Sequence, residues 1–307
     1  RENSPKMAQM GEEFNGKVEK IGEDYFRMIF HVPSAFYGHI IGQGGATLRL
    51  MEEDTRTIIR LPKPGTDDMI TVKGRRVEYL EAARNKIYDI VDTYRTRGMT
   101  HFFSINCATE AVKEAYGKFK EAVQEAYSPE GLPEIYFQKP EKLHITLSGM
   151  LLNNDQDRQM AVDLLHGEEE AIRKIMEKFP GKAHIKIQGL MTMNDNPEKA
   201  KVLYARIHSE ALEEIAEHLD RLNRKSGLYT GSIRKTTVQL HMTLMNVAYD
   251  KDDNGRFKKG NTINAKKILE DFGDYSFGEV PLTEIHLSQR KSYDDEGYYT
   301  AFTKLFV

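Results

Sequence analysis

Two nearly identical four-residue strings, HITL at 144–147 and HMTL at 241–244, constrain this chain more than any other feature of its sequence. In a β-strand, residues i and i+2 point to the same face of the sheet. The histidine and threonine of each string would therefore project side by side. The apolar residues between and after them would point the other way, into a core; they are Ile145, Leu147, Met242 and Leu244.

The segments in front of the two strings repeat as well. THFFSINC and KVLYARIH each predict a strand, and each is followed by a helix, at TEAVKEAYGKFKEAVQEAY and SEALEEIAEHLDRLNRKS. A repeated unit of strand, helix and strand indicates an internal duplication. Equivalent strands of duplicated halves usually lie side by side about a pseudo-twofold axis, which would bring the two histidines together.

Further elements complete the region from 99 to 307. DRQMAVDLLHGEEEAIRKIMEKF predicts one helix, AHIKIQGLMTM predicts a strand, and TEIHLSQRKS with YYTAFTKLFV predicts a terminal hairpin. We expect an α+β fold with two related halves and assign residues 99–307 to one domain.

The region before it has a different order of elements. The pattern predicts a strand at 25–32, two short helices, two strands and an amphipathic helix at 75–97, with Gly98 as its C-terminal stop. Residues 1–20 are polar with several breakers, so we expect a flexible arm at 1–20 and a second domain at 21–98.

A glycine-rich loop joins the two short helices of the N-terminal domain, at HIIGQGGATLRL. Its glycines would let a nucleic-acid phosphate approach the backbone, and the helix N-terminus that follows favours an anion. Loop and element order resemble the KH domain, which implies binding of single-stranded RNA or DNA. The RNA-binding residues implied are Ile41, Gly42, Gln43, Gly44, Gly45 and Arg49. KH loops often carry Lys or Arg at the middle positions, here Gln43 and Gly44, so we expect weak binding or binding completed by the domain at 99–307.

Two histidines that flank one phosphate suit acid–base chemistry near pH 7, because an unperturbed imidazole titrates close to that pH. Threonine hydroxyls beside them can donate to non-bridging oxygens. For a single histidine of this kind, a structural role would be the better interpretation. The sequence has no cysteine pair and no HExxH string, so we expect no metal and no cofactor.

The paired strings, with FQKPEKL leading into the first, resemble the two-histidine phosphoesterases, which include LigT-like and AKAP7-like proteins. The resemblance implies that His144 and His241 form the acid–base pair and that Thr146 and Thr243 bind phosphate. It also implies a bilobal fold and substrates with 2′,5′ or 2′,3′-cyclic phosphates, or RNA ends. Further candidates for substrate contact are Arg234, Lys235 and Tyr293, although a solvated loop and a packed hairpin tyrosine remain alternatives.

A KH domain fused to an AKAP7-like domain resembles subunits of the activating signal cointegrator complex. This resemblance implies a nuclear protein with the helicase and other subunits of that complex as partners, in transcription coactivation and repair of alkylation damage. A non-catalytic RNA- or nucleotide-binding scaffold remains an alternative, and so does an RNA ligase.

The composition of the chain narrows the remaining classes of protein to which it could belong. The net charge of −3 does not by itself indicate a nucleic-acid partner, and no run of about 18 apolar residues predicts a membrane span. The single cysteine, Cys107, fits a reducing compartment. Because the first residue is Arg1, we expect further sequence before it, including segments that bind partners.

Overall fold

The computed structural model describes residues 17–32, 36–62, 69–127, 131–152, 155–181, 183–231, 237–252, 258 and 260–307, without the side chains of 95–97. Contacts between Cα atoms divide the chain into two compact units. One comprises the described residues up to Met99 together with those of 222–237, and the other comprises 100–221 and 238–307.

The first unit is a small α+β structure. It contains β1 (Lys17–Gly22), β2 (Tyr25–His31), α1 (Tyr37–Ile41), α2 (Ala46–Thr55), β3 (Thr57–Arg60), β4 (Met69–Gly74) and α3 (Val77–Arg97). It has the predicted order of elements from β2 onwards, preceded by an additional strand, β1. The strands form an antiparallel sheet in the order β1-β2-β4-β3. Alternate residues of β2 and β4 are buried with residues spaced along α3, among them Met28, Phe30, Ile70, Val72, Leu80 and Ile87.

The prediction of a flexible arm at 1–20 is wrong for residues 17–20, which belong to strand β1. Residues 17–20 pair with β2, with Lys17 opposite Ile29 and Lys20 opposite Phe26. The strand is joined to β2 by its backbone ladder and by an ion pair of Glu19 with Arg27. Nearly all side chains of β1 are exposed, so the strand shows no alternation of buried and exposed residues. The sequence pattern therefore lacked the signal that identifies a half-buried strand. Residues 1–16 lie outside the described residues.

The elements after Met99 include eight strands. They are β5 (His101–Asn106), β6 (His144–Met150), β7 (His184–Thr192), β8 (Val202–His208), β9 (His241–Asn246), β10 (Ser276–Pro281), β11 (Glu284–Tyr293) and β12 (Tyr299–Phe306). The helices are α4 (Glu110–Ala126), α5 (Asp155–Gly167), α6 (Glu169–Glu177), α7 (Glu210–Ser226) and α8 (Lys266–Phe272).

The eight strands form one antiparallel sheet in the order β10-β7-β8-β9-β6-β5-β11-β12. It consists of two four-stranded halves, and the strands that carry the histidine strings, β9 and β6, are the innermost strand of each half. The predicted side-by-side placement of the duplicated strands is therefore confirmed. The predicted terminal hairpin is confirmed by the pairing of β11 with β12.

Some elements differ from the sequence pattern. The helix predicted at 157–179 is two helices, because α5 ends at Gly167 and α6 begins at Glu169. Helix α8 and strand β10 were not predicted, since each is short and lies in a segment rich in glycine and aromatic residues. No helix in the described ranges is both long and apolar enough to cross a bilayer.

Helix α4 holds the segment before β6 against the end of β9. Thr109 caps the helix by accepting a hydrogen bond from the backbone N–H of Val112 at 3.3 Å. The hydroxyl of the buried Tyr116 lies 2.8 Å from the carbonyl oxygen of Gln138 and 3.0 Å from that of Leu244. One hydroxyl thus joins the segment that leads into β6 to strand β9 itself.

Replacing Tyr116 with Phe should lower the stability of the protein by about 1 to 2 kcal/mol, because a buried carbonyl loses its donor. The measurement is the urea midpoint of unfolding followed by circular dichroism. Tyr94→Phe is the matched control, since Tyr94 is 46% exposed. Equal midpoints for the two variants would contradict the structural role of this hydroxyl.

Candidate functional site

Strands β6 and β9 are antiparallel neighbours, with Ile145 directly opposite Met242. In this register His144 faces Thr243 across the two strands, and Thr146 faces His241. The four polar side chains share one face of the sheet. On the other face the four apolar residues of the strings are buried, as predicted: Ile145, Leu147, Met242 and Leu244.

The two imidazoles are oriented in the same way. Nδ1 of His144 lies 2.7 Å from the carbonyl oxygen of Lys142, and Nδ1 of His241 lies 2.8 Å from that of Gln239. A carbonyl oxygen only accepts hydrogen bonds, so each Nδ1 carries the proton and donates it. In the neutral form of each ring, Nε2 is therefore the unprotonated nitrogen.

Burial lowers the pKa of His144 to about 4. The hydrogen bond to the Lys142 carbonyl opposes this shift, and the charge of His241 adds to it. His144 is therefore neutral at pH 7 and can accept a proton at Nε2. Since a charge on His241 acts on His144, the two rings lie close enough to interact, and a state with both rings charged is disfavoured.

Aromatic rings surround His144. The ring centroid of Tyr299 is 5.0 Å from that of His144, in an edge-to-face contact, and that of Phe102 is 5.3 Å away. Tyr293 packs on Tyr299 at 5.7 Å, and the Lys142 ammonium lies 3.4 Å from the Tyr293 ring centroid. We call Phe102, Tyr293 and Tyr299 the aromatic wall. Burial raises the pKa of Tyr299 to about 12, so its hydroxyl stays neutral.

His241 has a different neighbour. The ring of Tyr204 lies edge-on to it at a centroid distance of 5.3 Å, and the Tyr204 hydroxyl accepts a hydrogen bond from the Gln239 side chain at 2.7 Å. Gln239 therefore contacts both rings. Its backbone carbonyl accepts a hydrogen bond from His241, and its side-chain amide donates one to Tyr204. Sequence reasoning missed Tyr204, Tyr299 and Phe102, because only the strand pairing brings them to the histidines.

Of the other residues predicted to contact substrate, Tyr293 lies in the aromatic wall, next to Tyr299 rather than directly against His144. Arg234 and Lys235 lie outside the described residues. Within the described ranges, no group of three or more His, Cys, Asp or Glu residues is arranged to hold a metal ion.

The glycine-rich loop of the first unit forms a separate candidate site. Gly42, Gly44 and Gly45 have φ of 70°, 58° and 78°, which favours glycine at all three positions. A Cβ at Gly42 would also meet Thr47 Oγ1 at 2.1 Å. Ile41 packs against the core of the unit, while Gln43 and Gly44 are exposed.

Helix α2 begins directly after this loop, at Ala46. Its N-terminus places the partial positive charge of a ten-residue helix behind the glycines. The Arg49 side chain lies over Gly45, since a Cβ built there would be 3.1 Å from a guanidinium nitrogen. The predicted residues 41–45 and Arg49 are thus brought together.

Comparison with known proteins identifies both regions. A family model described as the AKAP7 2'5' RNA ligase-like domain matches residues 99–306, and a KH domain model matches residues 27–89. The mouse (Mus musculus) protein "Activating signal cointegrator 1 complex subunit 1" is 32% identical over 296 residues, which cover 90% of this chain and 82% of the mouse protein.

Two solved structures show lower similarity. Apo LigT of E. coli is 15% identical, with a TM-score of 0.38, over 68% of this chain and 97% of LigT. The protein TT0787 of Thermus thermophilus is 17% identical, with a TM-score of 0.41, over 68% of this chain and 97% of its own.

The depressed pKa of His144 predicts a pH dependence of stability. Between its ordinary value of 6.5 and its folded value of about 4, the unfolded chain binds a proton that the folded chain does not. The free energy of unfolding is therefore highest above pH 6.5 with respect to His144, and it decreases as the pH falls towards 4. At about 1.4 kcal/mol per pKa unit, the loss is about 2 to 3 kcal/mol.

Urea midpoints measured from pH 7 to pH 4 test this. His144→Gln should lose less stability than the wild type as the pH falls. His101→Gln is the matched comparison, because burial also lowers the pKa of His101 and the change should act in the same direction. A wild-type pH dependence in His144→Gln would contradict the burial argument.

Proposed function

The chain belongs to the family of proteins with an AKAP7 2'5' RNA ligase-like domain, and on that premise we propose that it is a phosphodiesterase with a two-histidine mechanism. The domain is of the phosphoesterase type, and the KH domain is an RNA-binding module. We propose as substrates RNA ends or linkages with 2′,5′ or 2′,3′-cyclic phosphates. The supporting observation is the β6–β9 register, which sets two histidines and two threonines on one face.

In the proposed reaction, His144 is the base. It is neutral at pH 7, and its Nδ1 is committed to the Lys142 carbonyl, so Nε2 accepts the proton of the attacking water. The water oxygen forms a bond to phosphorus as the bond to the leaving ester oxygen breaks. The proton removed from water resides on His144 at the end of this step.

His241 is the proposed acid. Its Nδ1 is held by the Gln239 carbonyl, so its second proton is on Nε2 and passes to the leaving oxygen. The interaction between the rings favours one proton on the pair rather than two. Return of the proton from His144 to His241 through solvent restores the starting state. Thr146 and Thr243 donate to the non-bridging oxygens of the phosphate.

The aromatic wall would hold the nucleobase. Aromatic side chains stack on bases with little sequence preference, and Tyr293, 48% exposed, is the member of the wall most open to solvent. The ammonium of Lys142 above its ring adds a charge near the bound nucleotide. We also keep Arg234 and Lys235 as proposed substrate contacts.

The KH domain would bind single-stranded RNA, or single-stranded DNA, along the glycine-rich loop. Gly42 and Gly45 bring the backbone close to the phosphates, and the N-terminus of α2 favours the anion. The exposed middle positions, Gln43 and Gly44, are uncharged, so binding should be weak for this domain alone.

The relative named as a complex subunit supports a proposal about partners. We propose that this chain is a subunit of an activating signal cointegrator complex, bound to its helicase and other subunits, in the nucleus. Its roles would be transcription coactivation and repair of alkylation damage. Co-purification of these subunits with the chain from nuclear extract tests the partner proposal.

Replacing His144 or His241 with Ala should cut turnover by about 10² to 10⁴, the usual contribution of a general acid or base. Thr146→Ala and Thr243→Ala should lower turnover by a smaller factor, because both histidines can still transfer protons. His166→Ala is the matched control, an exposed histidine of α5. The assay is hydrolysis of 3′,5′-linked, 2′,5′-linked and cyclic-phosphate oligonucleotides in excess EDTA, where activity should persist.

The rate should also fall as the pH drops through about 4, where His144 becomes protonated. Wild-type rates in both histidine variants, or activity that EDTA abolishes and a divalent cation restores, would contradict the mechanism. If the intact protein turns over no phosphodiester, the non-catalytic scaffold becomes the better interpretation.

Replacing both Gln43 and Gly44 with Asp should weaken binding of single-stranded RNA roughly thirtyfold, since each of the two new charges opposes a phosphate by about 1 kcal/mol. Gly44 has open space around it, and Asp tolerates its positive φ better than most residues. Asn85→Asp, which adds a charge on α3, is the control. Unchanged affinity of the double variant in fluorescence anisotropy would show that this loop is not the contact.

A further inference from the structure

Beyond His241, the face of the sheet that carries the histidines continues onto β8 and β7. Arg206 lies directly opposite His241, and Lys186 lies directly opposite His208. Residues opposite each other in antiparallel strands project to the same face. Arg206, His208 and Lys186 are all exposed, so this face is open to solvent next to the histidine pair.

Lys186 and Arg206 are the two cations of this face. Within the described ranges, neither Lys186 nor Arg206 makes a hydrogen bond or an ion pair through its side chain. Glu279 of β10 lies opposite Lys186 in the register, but the two side chains form no ion pair. Most other cations of this sheet and its helices are paired, as Lys178 is with Glu214 and Lys304 with Glu284.

Gly189 of β7 lies beside the stem of Arg206. Its φ is 87°, and a Cβ built there would lie at ordinary van der Waals distances, 3.4 Å from Cδ of Arg206 and 4.0 Å from its Cγ. The stem of Arg206 therefore runs beside β7, the strand that carries Lys186.

The other half of the sheet differs at the equivalent position. Asn106 lies opposite His144, and its side-chain oxygen accepts a hydrogen bond from the backbone N–H of Ala108 at 2.8 Å. Beyond it, Ser104 and Ser288 are fully buried and hydrogen-bonded to each other. The duplicated site is thus flanked by Arg206 and Lys186 on the His241 side, and by the aromatic wall with Lys142 over Tyr293 on the His144 side.

We propose that Arg206 and Lys186 form a track for the non-scissile phosphates of a single-stranded oligonucleotide, so that the site prefers a chain of several nucleotides to a dinucleotide. Neighbouring strands are about 4.8 Å apart. Arg206 is one strand from His241 and Lys186 is two, so an oligonucleotide leaving the histidines across the sheet meets the two cations in turn. The track rests on the proposed phosphodiesterase function.

The test compares hydrolysis of a tetranucleotide and a dinucleotide of the same linkage by the full chain. Lys186→Ala should lower the preference for the tetranucleotide, as a ratio of kcat/KM values, about tenfold, the effect of losing one charge-assisted contact. Arg206→Lys and Lys186→Arg keep the charge and should retain most of the preference. Lys199→Ala removes an exposed charge elsewhere and should leave the ratio as in the wild type.

A binding measurement separates failure of the track from failure of the enzyme proposal. In a full chain with His144→Ala, His241→Ala, Gln43→Asp and Gly44→Asp, anisotropy of a labelled tetranucleotide is measured against salt. Adding Lys186→Ala should reduce the slope of log affinity against log salt by about 0.7, as for one lost phosphate contact on a single strand. An unchanged slope, or an equal loss with Lys199→Ala, would overturn the track even if the enzyme is active. A reduced slope would support it even if the enzyme is inactive.

Discussion

The antiparallel bridge between Ile145 and Met242 is the interaction on which the rest of the site depends. Both side chains are fully buried, so the core fixes the register of β6 against β9. Since side chains alternate along a strand, a slip of one residue would move the histidines and threonines of one string to the opposite face. The apolar half of each string thus positions its polar half.

The duplication produces two similar strands, but the histidines on them have different surroundings. Both rings donate Nδ1–H to the carbonyl two residues earlier, so Nε2 is the unprotonated nitrogen of both neutral rings. His144 is enclosed by Tyr299 and Phe102, and burial keeps it neutral. His241 instead has Tyr204 beside it and Arg206 across the strand. This difference in surroundings supports different roles in one proton cycle.

The sequence predicted the parts of the site that are encoded in local periodicity. The apolar alternation around Thr146 and Thr243 identified both strands, and the clustered glycines at 42, 44 and 45 identified the loop, in which the structure gives all three a positive φ. Tyr204, Tyr299 and Arg206 could not be predicted, because their places depend on which strands pair and on the bulges at Leu203/Tyr204 and Leu287/Ser288. No pattern in a single strand records a pairing partner. Strand β1 was missed for a related reason, since its pairing with β2 leaves no alternation of buried and exposed side chains.

A double-mutant cycle on turnover tests most directly whether the two histidines act on one phosphate. Single variants His144→Ala and His241→Ala and the double variant are compared with the wild type on one phosphodiester substrate. If the two rings work as a unit, the double variant should be about as slow as the slower single variant, because losses within a catalytic unit are not additive. Losses that multiply would show that the rings act independently, and would contradict a shared site between β6 and β9.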